Sequence, residues 1–194
     1  MKEILRRTWA EIDLDALARD FRAVRQAANA QAKVCCVVKA DAYGHGAVRM
    51  AREFEELGAD WFAVSNLEEA MQLRRGGIRR PILILGYTPP AYARDLVAMG
   101  LRQEVHSLEY ARALHEELKG SERRLKVHIK LDTGMSRLGF FAYDHPKTVE
   151  ELKEVAQMPK LLIEEFSCIS RSQIPSTGPT RILRIRSSSA SRRC

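Results

Sequence analysis

Val34-Cys35-Cys36-Val37-Val38-Lys39-Ala40-Asp41-Ala42-Tyr43-Gly44-His45-Gly46 is an apolar run closed by a lysine and followed by a loop with two glycines. Five apolar residues in a row have the length and composition of a strand buried on both faces. Helical spacing then resumes over 45–57, so the stretch reads as a strand, a loop and a helix. The same unit recurs along the chain. Strands are predicted over 34–39, 61–65, 81–85, 101–105, 125–131 and 161–166, with helices over 45–57, 67–75, 91–99, 107–119 and 146–157. Glycines 58, 76, 77, 100 and 120 fall where helix ends favour a left-handed cap. Upstream, residues 8–12 read as a short strand. Asp13 then caps a helix whose Leu14, Leu17, Ala18, Phe21, Val24 and Ala28 recur at the helical period. Strand starts 20–36 residues apart suit βαβ units and a parallel sheet. Two α/β architectures satisfy that pattern: an open doubly wound sheet, or a (β/α) barrel that stops early, with about six of its eight strands.

The 194 residues are 45% apolar and 29% charged, an ordinary globular balance. No apolar run approaches the ~20 residues of a membrane helix, and the N-terminus lacks the pattern of a secretory leader. A cytoplasmic location and no membrane partner are expected. The formal charge of +7 is unevenly spread. Residues 166–194 hold six arginines and no acid, which leaves 26 basic and 25 acidic groups in the rest. The body is therefore nearly neutral and gives no reason to expect a nucleic-acid partner; only the tail could bind a polyanion. We expect a domain over 1–166 and a basic Ser/Arg-rich tail over 167–194, disordered or read out of frame. Cys35, Cys36, Cys168 and Cys194 form neither a metal-ligand spacing nor a disulfide framework. Cys35 and Cys36 read as small core residues.

Two segments carry chemistry. Lys39 stands at the C-terminal end of a strand, where parallel α/β folds place their active sites. Partial desolvation there favours the neutral, nucleophilic amine. Gly44 and Gly46 permit close approach of a ligand, the next helix start offers N–H groups, and Tyr43 adds a hydroxyl suited to phosphate. The second segment runs Lys126-Val127-His128-Ile129-Lys130-Leu131-Asp132-Thr133-Gly134-Met135-Ser136-Arg137-Leu138-Gly139. Alternation puts His128, Lys130 and Asp132 on one face of a strand. That polar face must look into a hydrated or functional interior, where Lys130 needs a partner or neutralisation. Arg137 can carry a permanent cation back over the mouth of the sheet.

The run from Val37 to Gly46 resembles the pyridoxal-phosphate signature of bacterial alanine racemases. The run from Lys130 to Gly139 is similar to the same family's second motif, and Thr8-Trp9-Ala10-Glu11-Ile12-Asp13-Leu14 to its opening. The resemblance implies an incomplete TIM-type (β/α) barrel without the family's C-terminal β domain. It also implies pyridoxal 5'-phosphate as cofactor, alanine as substrate, a homodimer, and interconversion of L- and D-alanine for peptidoglycan. On this resemblance Lys39 holds the cofactor covalently and acts as catalytic base on one face. Tyr43 touches the phosphate, Leu85 packs by the pyridine ring, and Arg137 binds both the cofactor oxygen and the substrate carboxylate. Lys130 matches a position that the family often carbamylates. The opposite base is a tyrosine of the partner subunit's C-terminal domain. The match stops where the family's histidine gives way to Cys168, so this chain is expected to fold poorly and racemise little. A racemase of another small amino acid and a non-catalytic pyridoxal-phosphate-binding barrel are the alternatives. No metal is implied.

Overall fold

The computed structural model of the chain describes residues 10–142 and 146–169. Its strands are β1 (Cys35–Val37), β2 (Trp61–Val64), β3 (Ile82–Ile84), β4 (Arg102–Val105), β5 (Leu125–Asp132), β6 (Phe140–Phe141) and β7 (Leu161–Cys168). Around them run α1 (Leu14–Ala27), α2 (Lys39–Gly44), α3 (Ala47–Glu56), α4 (Leu67–Arg75), α5 (Ala93–Ala98), α6 (Leu108–Glu117) and α7 (Pro146–Ala156). Every strand pairing is parallel, and the order β1-β2-β3-β4-β5 follows the sequence, with β7 and the short β6 both on β5. A doubly wound sheet reverses its strand order at a switch point. No reversal occurs among the described residues, so the winding is that of a barrel, which the described strands do not close.

β2 is buried at all four positions, as a parallel strand covered on both faces must be. Phe62, Ile82, Leu83 and Ile84 are fully buried, and Phe62, Ile82 and Ile84 share one core beneath the helices with Val127 and Ile129. Side-chain caps fix three helix starts: Asp13 accepts from the Ala16 N–H, Asn66 from the Glu69 N–H and Ser107 from the Tyr110 N–H. Such caps are worth about 1 kcal/mol each. α4 begins and ends where its sequence predicts.

Other boundaries move. Ala10 to Ile12 form no strand, so the described part of the expected 8–12 strand is missing; Thr8 and Trp9 lie outside the described residues. The helix predicted from 45 begins at Ala47, because α2 intervenes. The one predicted over 91–99 divides into a 3-10 turn (Pro90–Tyr92) and α5. β7 continues through Ser167 and Cys168, past the boundary expected at 166. Residues 170–194, most of the expected tail, lie outside the described residues.

β7 also carries a bulge. Ile163 opposes Val127 and Glu165 opposes His128, so Glu164 is the extra residue. An unpaired residue re-aims its side chain, and Glu164 meets Arg102 at 3.0 Å and Lys126 at 2.5 Å.

Candidate active site

The C-terminal ends of the parallel strands make one rim, and Lys39 enters it directly after β1. Val38, beneath it, is buried, and its N–H donates to the Ala63 carbonyl at 2.9 Å. Lys39 itself is half-buried. The next four residues, Ala40, Asp41, Ala42 and Tyr43, have φ between 50° and 56°. α2 is therefore a helical turn of the hand that L-residues avoid, at a cost of about 1–2 kcal/mol per residue.

Such a turn persists only where its surroundings over-determine it. The Ala40 N–H donates to Glu69 Oε1 at 2.8 Å, and Glu69 Oε2 accepts from the Ser65 N–H at 2.7 Å. One carboxylate thus ties the ends of β1 and β2 to the first turn of α4. Asp41 Oδ1 accepts from the Ala47 N–H at 2.7 Å, the Asp41 carbonyl accepts from the Gly46 N–H, and Ala42 is buried. Glu69→Ala should cost about 2 kcal/mol, discounted for the exposure of the Ala40 bond, and should speed hydrogen exchange at the Ala40 amide. Unchanged stability and exchange would show that the bridge holds nothing.

Asp41 corrects one expectation. One N–H at the start of α3, that of Ala47, is taken by a carboxylate and is not open to an anion. Tyr43 remains 61% exposed, which leaves its hydroxyl as the loop's donor. No atom would touch a Cβ at Gly44 or Gly46, so these glycines serve their φ of 88° and 89° and not a tight contact.

Leu85 leaves β3 at the same rim, half-buried, with its N–H on the Val64 carbonyl at 2.8 Å. Behind it a Cβ on Gly86 would lie 2.4 Å from the Ser65 carbonyl oxygen, so the close approach of these strand ends requires glycine. At the end of β5 the loop winds around Asp132. Asp132 Oδ1 accepts from the Gly134 and Ser136 N–H groups, each at 3.0 Å. The Ser136 N–H holds the Asp132 carboxyl below its usual range, helped by other amides of the loop and opposed by desolvation. Ser136, at φ 54°, turns the chain so that Arg137 follows, exposed. Lys130 and Arg137 line one small cavity with Met135 and Leu138.

The inner face of β5 is polar, as alternation predicts: His128, Lys130 and Asp132 are all buried. Near the rim, Glu104 of β4 lies 3.7 Å from Lys130 Nζ, and the Ser167 hydroxyl of β7 donates to it. Burial pushes the Glu104 carboxyl up, while Lys130, Ser167 and Arg137 pull against that rise. Deeper in, Arg102 lies over the Trp61 ring at 5.1 Å and bonds Glu164. Between the two groups His128 is fully buried, with neither ring nitrogen hydrogen-bonded, and burial lowers its pKa to about 4. Cys35 and Cys36 have thiols pushed up to about 12 by burial, which suits core residues and not reactive thiolates. Another concavity lies at the other end, beside Arg74 and Arg102. There Arg74 is occupied by the carbonyls of Met99, Ile78, Arg80 and Gly100, a structural use.

A lysine at the rim of β1 and an arginine loop after β5, on a sequentially wound parallel sheet, accompany a match of residues 12–173 to the family described as alanine racemase, N-terminal domain. The chain belongs to that family. Alanine racemase 1 of Caldanaerobacter subterraneus subsp. tengcongensis is 42% identical over 160 residues, covering 82% of this chain and 41% of that protein. The solved alanine racemase of Clostridium difficile 630 superposes with a TM-score of 0.79 at 37% identity, over 86% of this chain and 43% of that one. A histidine racemase from Leuconostoc mesenteroides subsp. sake gives 0.74 at 29% identity, over 84% of this chain and 44% of its own. This racemase-family domain thus spans less than half the length of these relatives. Its fold is the family's TIM-barrel-like α/β fold, with the described strands forming an open arc.

Within this racemase domain, Lys39, Leu85 and Arg137 leave the same rim, and Lys130 shares a cavity with Arg137. Two residues escaped the sequence reading. Glu69 had one signal, its place three residues after the Asn66 cap, the spacing of a capping box. Its carboxylate reaches Ser65 and Ala40 instead of the cap. Glu104 had none, because its partners lie on neighbouring strands.

Proposed function

We propose that this domain is the cofactor-bearing part of a pyridoxal-phosphate-dependent alanine racemase, acting on alanine to supply D-alanine for peptidoglycan. The observation that carries the reading is Lys39, half-buried at the rim on a turn pinned by Glu69 and Asp41. The donor set suits the cofactor: a primary amine for its aldehyde, the exposed Tyr43 phenol for its phosphate, and Arg137 for its phenolic oxygen. When bound, pyridoxal phosphate supplies an electron sink for the negative charge left at the substrate Cα. Lys39 Nζ would take the Cα proton from one face of one enantiomer and, in the reverse direction, would deliver a proton to that same face. Arg137 would hold the substrate carboxylate, and Leu85 would pack against the pyridine ring. The base for the other face comes from a partner subunit, so the working assembly is a homodimer. No helix among the described residues is long and apolar enough to cross a membrane, and the reading places the enzyme in the cytoplasm. The likeness to a histidine racemase favours a second reading, in which the substrate is another amino acid.

Borohydride reduction with pyridoxal phosphate, followed by peptide mass mapping, tests the reading. A pyridoxyl group is expected on Lys39 and should vanish in Lys39→Ala. Label spread over surface lysines, with none on Lys39, would overturn it. Faster release of the unreduced cofactor by alanine than by serine or histidine supports alanine as substrate; the reverse order supports the second reading.

A further inference from the structure

Tyr110 of α6 is a buried phenol that the proposed chemistry leaves unused. We propose that Tyr110, together with Gln103 of β4, is a positioning residue that fixes Leu85 at the rim through the main chain of Gly86 and Thr88. This deepens the racemase reading, on which Leu85 packs by the cofactor ring, and its first measurements need no cofactor.

One hydroxyl serves both main-chain groups of Thr88. It donates to the Thr88 carbonyl at 2.7 Å and accepts from the Thr88 N–H at 3.1 Å. A phenol can do both at once, and burial pushes the Tyr110 pKa up, so it keeps the proton it donates. The ring is held as well, stacked on His106 with centroids 4.9 Å apart and tilted against Tyr87 at 4.9 Å. Gln103 is fully buried, and its Nε2 donates to the Gly86 carbonyl at 2.6 Å and to the Glu104 carbonyl of its own strand at 3.0 Å. From the other side, the Leu85 and Gly86 N–H groups donate to the Val64 and Ser65 carbonyls at 2.8 and 3.1 Å.

The segment from Leu85 to Thr88 is thus gripped from β2, β4 and α6. Without the last two grips, only the bonds to Val64 and Ser65 would set where β3 ends and where Leu85 points. Thr88 is fully buried and Tyr110 only 5% exposed, so a lost hydroxyl leaves two main-chain groups short of a partner in a place that water does not reach. A side chain that must meet a flat ring needs a support of this kind, placed before the ring arrives. Tyr110 and Gln103 act on the cofactor only through the chain that carries Leu85.

Tyr110→Phe keeps the ring and its stack and removes the hydroxyl. In the cofactor-free chain, hydrogen exchange at the Thr88 amide should quicken at least about tenfold. The Leu85 methyl resonances should move or broaden, while those of Leu83 stay in place. A loss of overall stability alone would leave the Leu85 methyls where they are, because the native state would be unchanged. With pyridoxal phosphate added, the ring-current shift of the Leu85 methyls should be smaller in the variant than in the parent. Unchanged Thr88 exchange, or Leu85 methyls alike in variant and parent, overturns the proposal. If Tyr110→Phe does not fold, Gln103→Leu decides: it removes the bond to Gly86 and should move the Leu85 methyls, and unmoved methyls there overturn the proposal equally. Parent methyls that ignore pyridoxal phosphate would sink the cofactor reading at Leu85, and the cofactor-free measurements would still decide the positioning.

Discussion

Alanine in place of Asp132 should lower stability by about 3 kcal/mol, from two charge-assisted hydrogen bonds at about 1.5 kcal/mol each, and should free the loop that carries Arg137. The Gly134 and Ser136 N–H groups converge on Asp132 Oδ1, and the Asp132 carbonyl accepts from the Ala142 N–H. The side chain therefore sets the shape of the turn, while its backbone continues the sheet. Asp132→Asn keeps an oxygen in place without the charge and should cost about half as much. The depressed carboxyl gives the sign of the pH effect. Its contribution is present above the ordinary carboxylate range and is lost as pH falls through the lower folded value. Urea midpoints measure the stability, and trypsin cleavage after Arg137 measures the loop. An Asp132→Ala protein that matches the parent in both would remove Asp132 from this role.

His128 should make the protein acid-sensitive in a window where most carboxylates are still charged. Burial holds its imidazole neutral down to about pH 4, against an ordinary 6.5. Above 6.5 both folded and unfolded states carry it neutral, and stability is unaffected. Between 6.5 and 4 only the unfolded chain takes up the proton, so stability falls as pH falls, by about 3 kcal/mol in all. Below 4 both states are protonated and the loss is complete. Glu104 and Glu165 act in the opposite sense. Burial raises both carboxyls, so their protonation favours the native state as pH drops. Comparison with His128→Leu isolates the imidazole. The variant should lose the fall between pH 6.5 and 4, and removing two unbonded nitrogens should not weaken it near neutrality. The same slope in parent and variant would sink the assignment.

The parts legible in the sequence are those encoded by near neighbours. The β2 run Trp61-Phe62-Ala63-Val64 is continuous and apolar, and α4 has its cap at Asn66 and a glycine at its end. Both stand where their composition puts them. The polar face of β5 was legible for the same reason, since alternation is local. Lys39 was legible through its strand-end position and the loop after it. What the sequence hides is the pairing across strands. Glu104 lies 63 positions before Ser167, and nothing in Arg102-Gln103-Glu104-Val105 marks one side chain as interior. The reversed hand of α2 was hidden too, because Ala40, Asp41, Ala42 and Tyr43 contain no glycine to announce positive φ. The strand expected at 8–12 rests on a short apolar pattern. The described part of it makes no ladder.

The backward-wound turn behind Lys39 has a consequence for local stability. Its coiling opposes the chirality of its own residues, and a few outside anchors keep it from relaxing. Segments of that kind open at lower free energy than the layers beneath them. Warming or mild denaturant would then release the amine from the mouth while the strands below stayed assembled, so the rim would lose its geometry before the sheet lost its order.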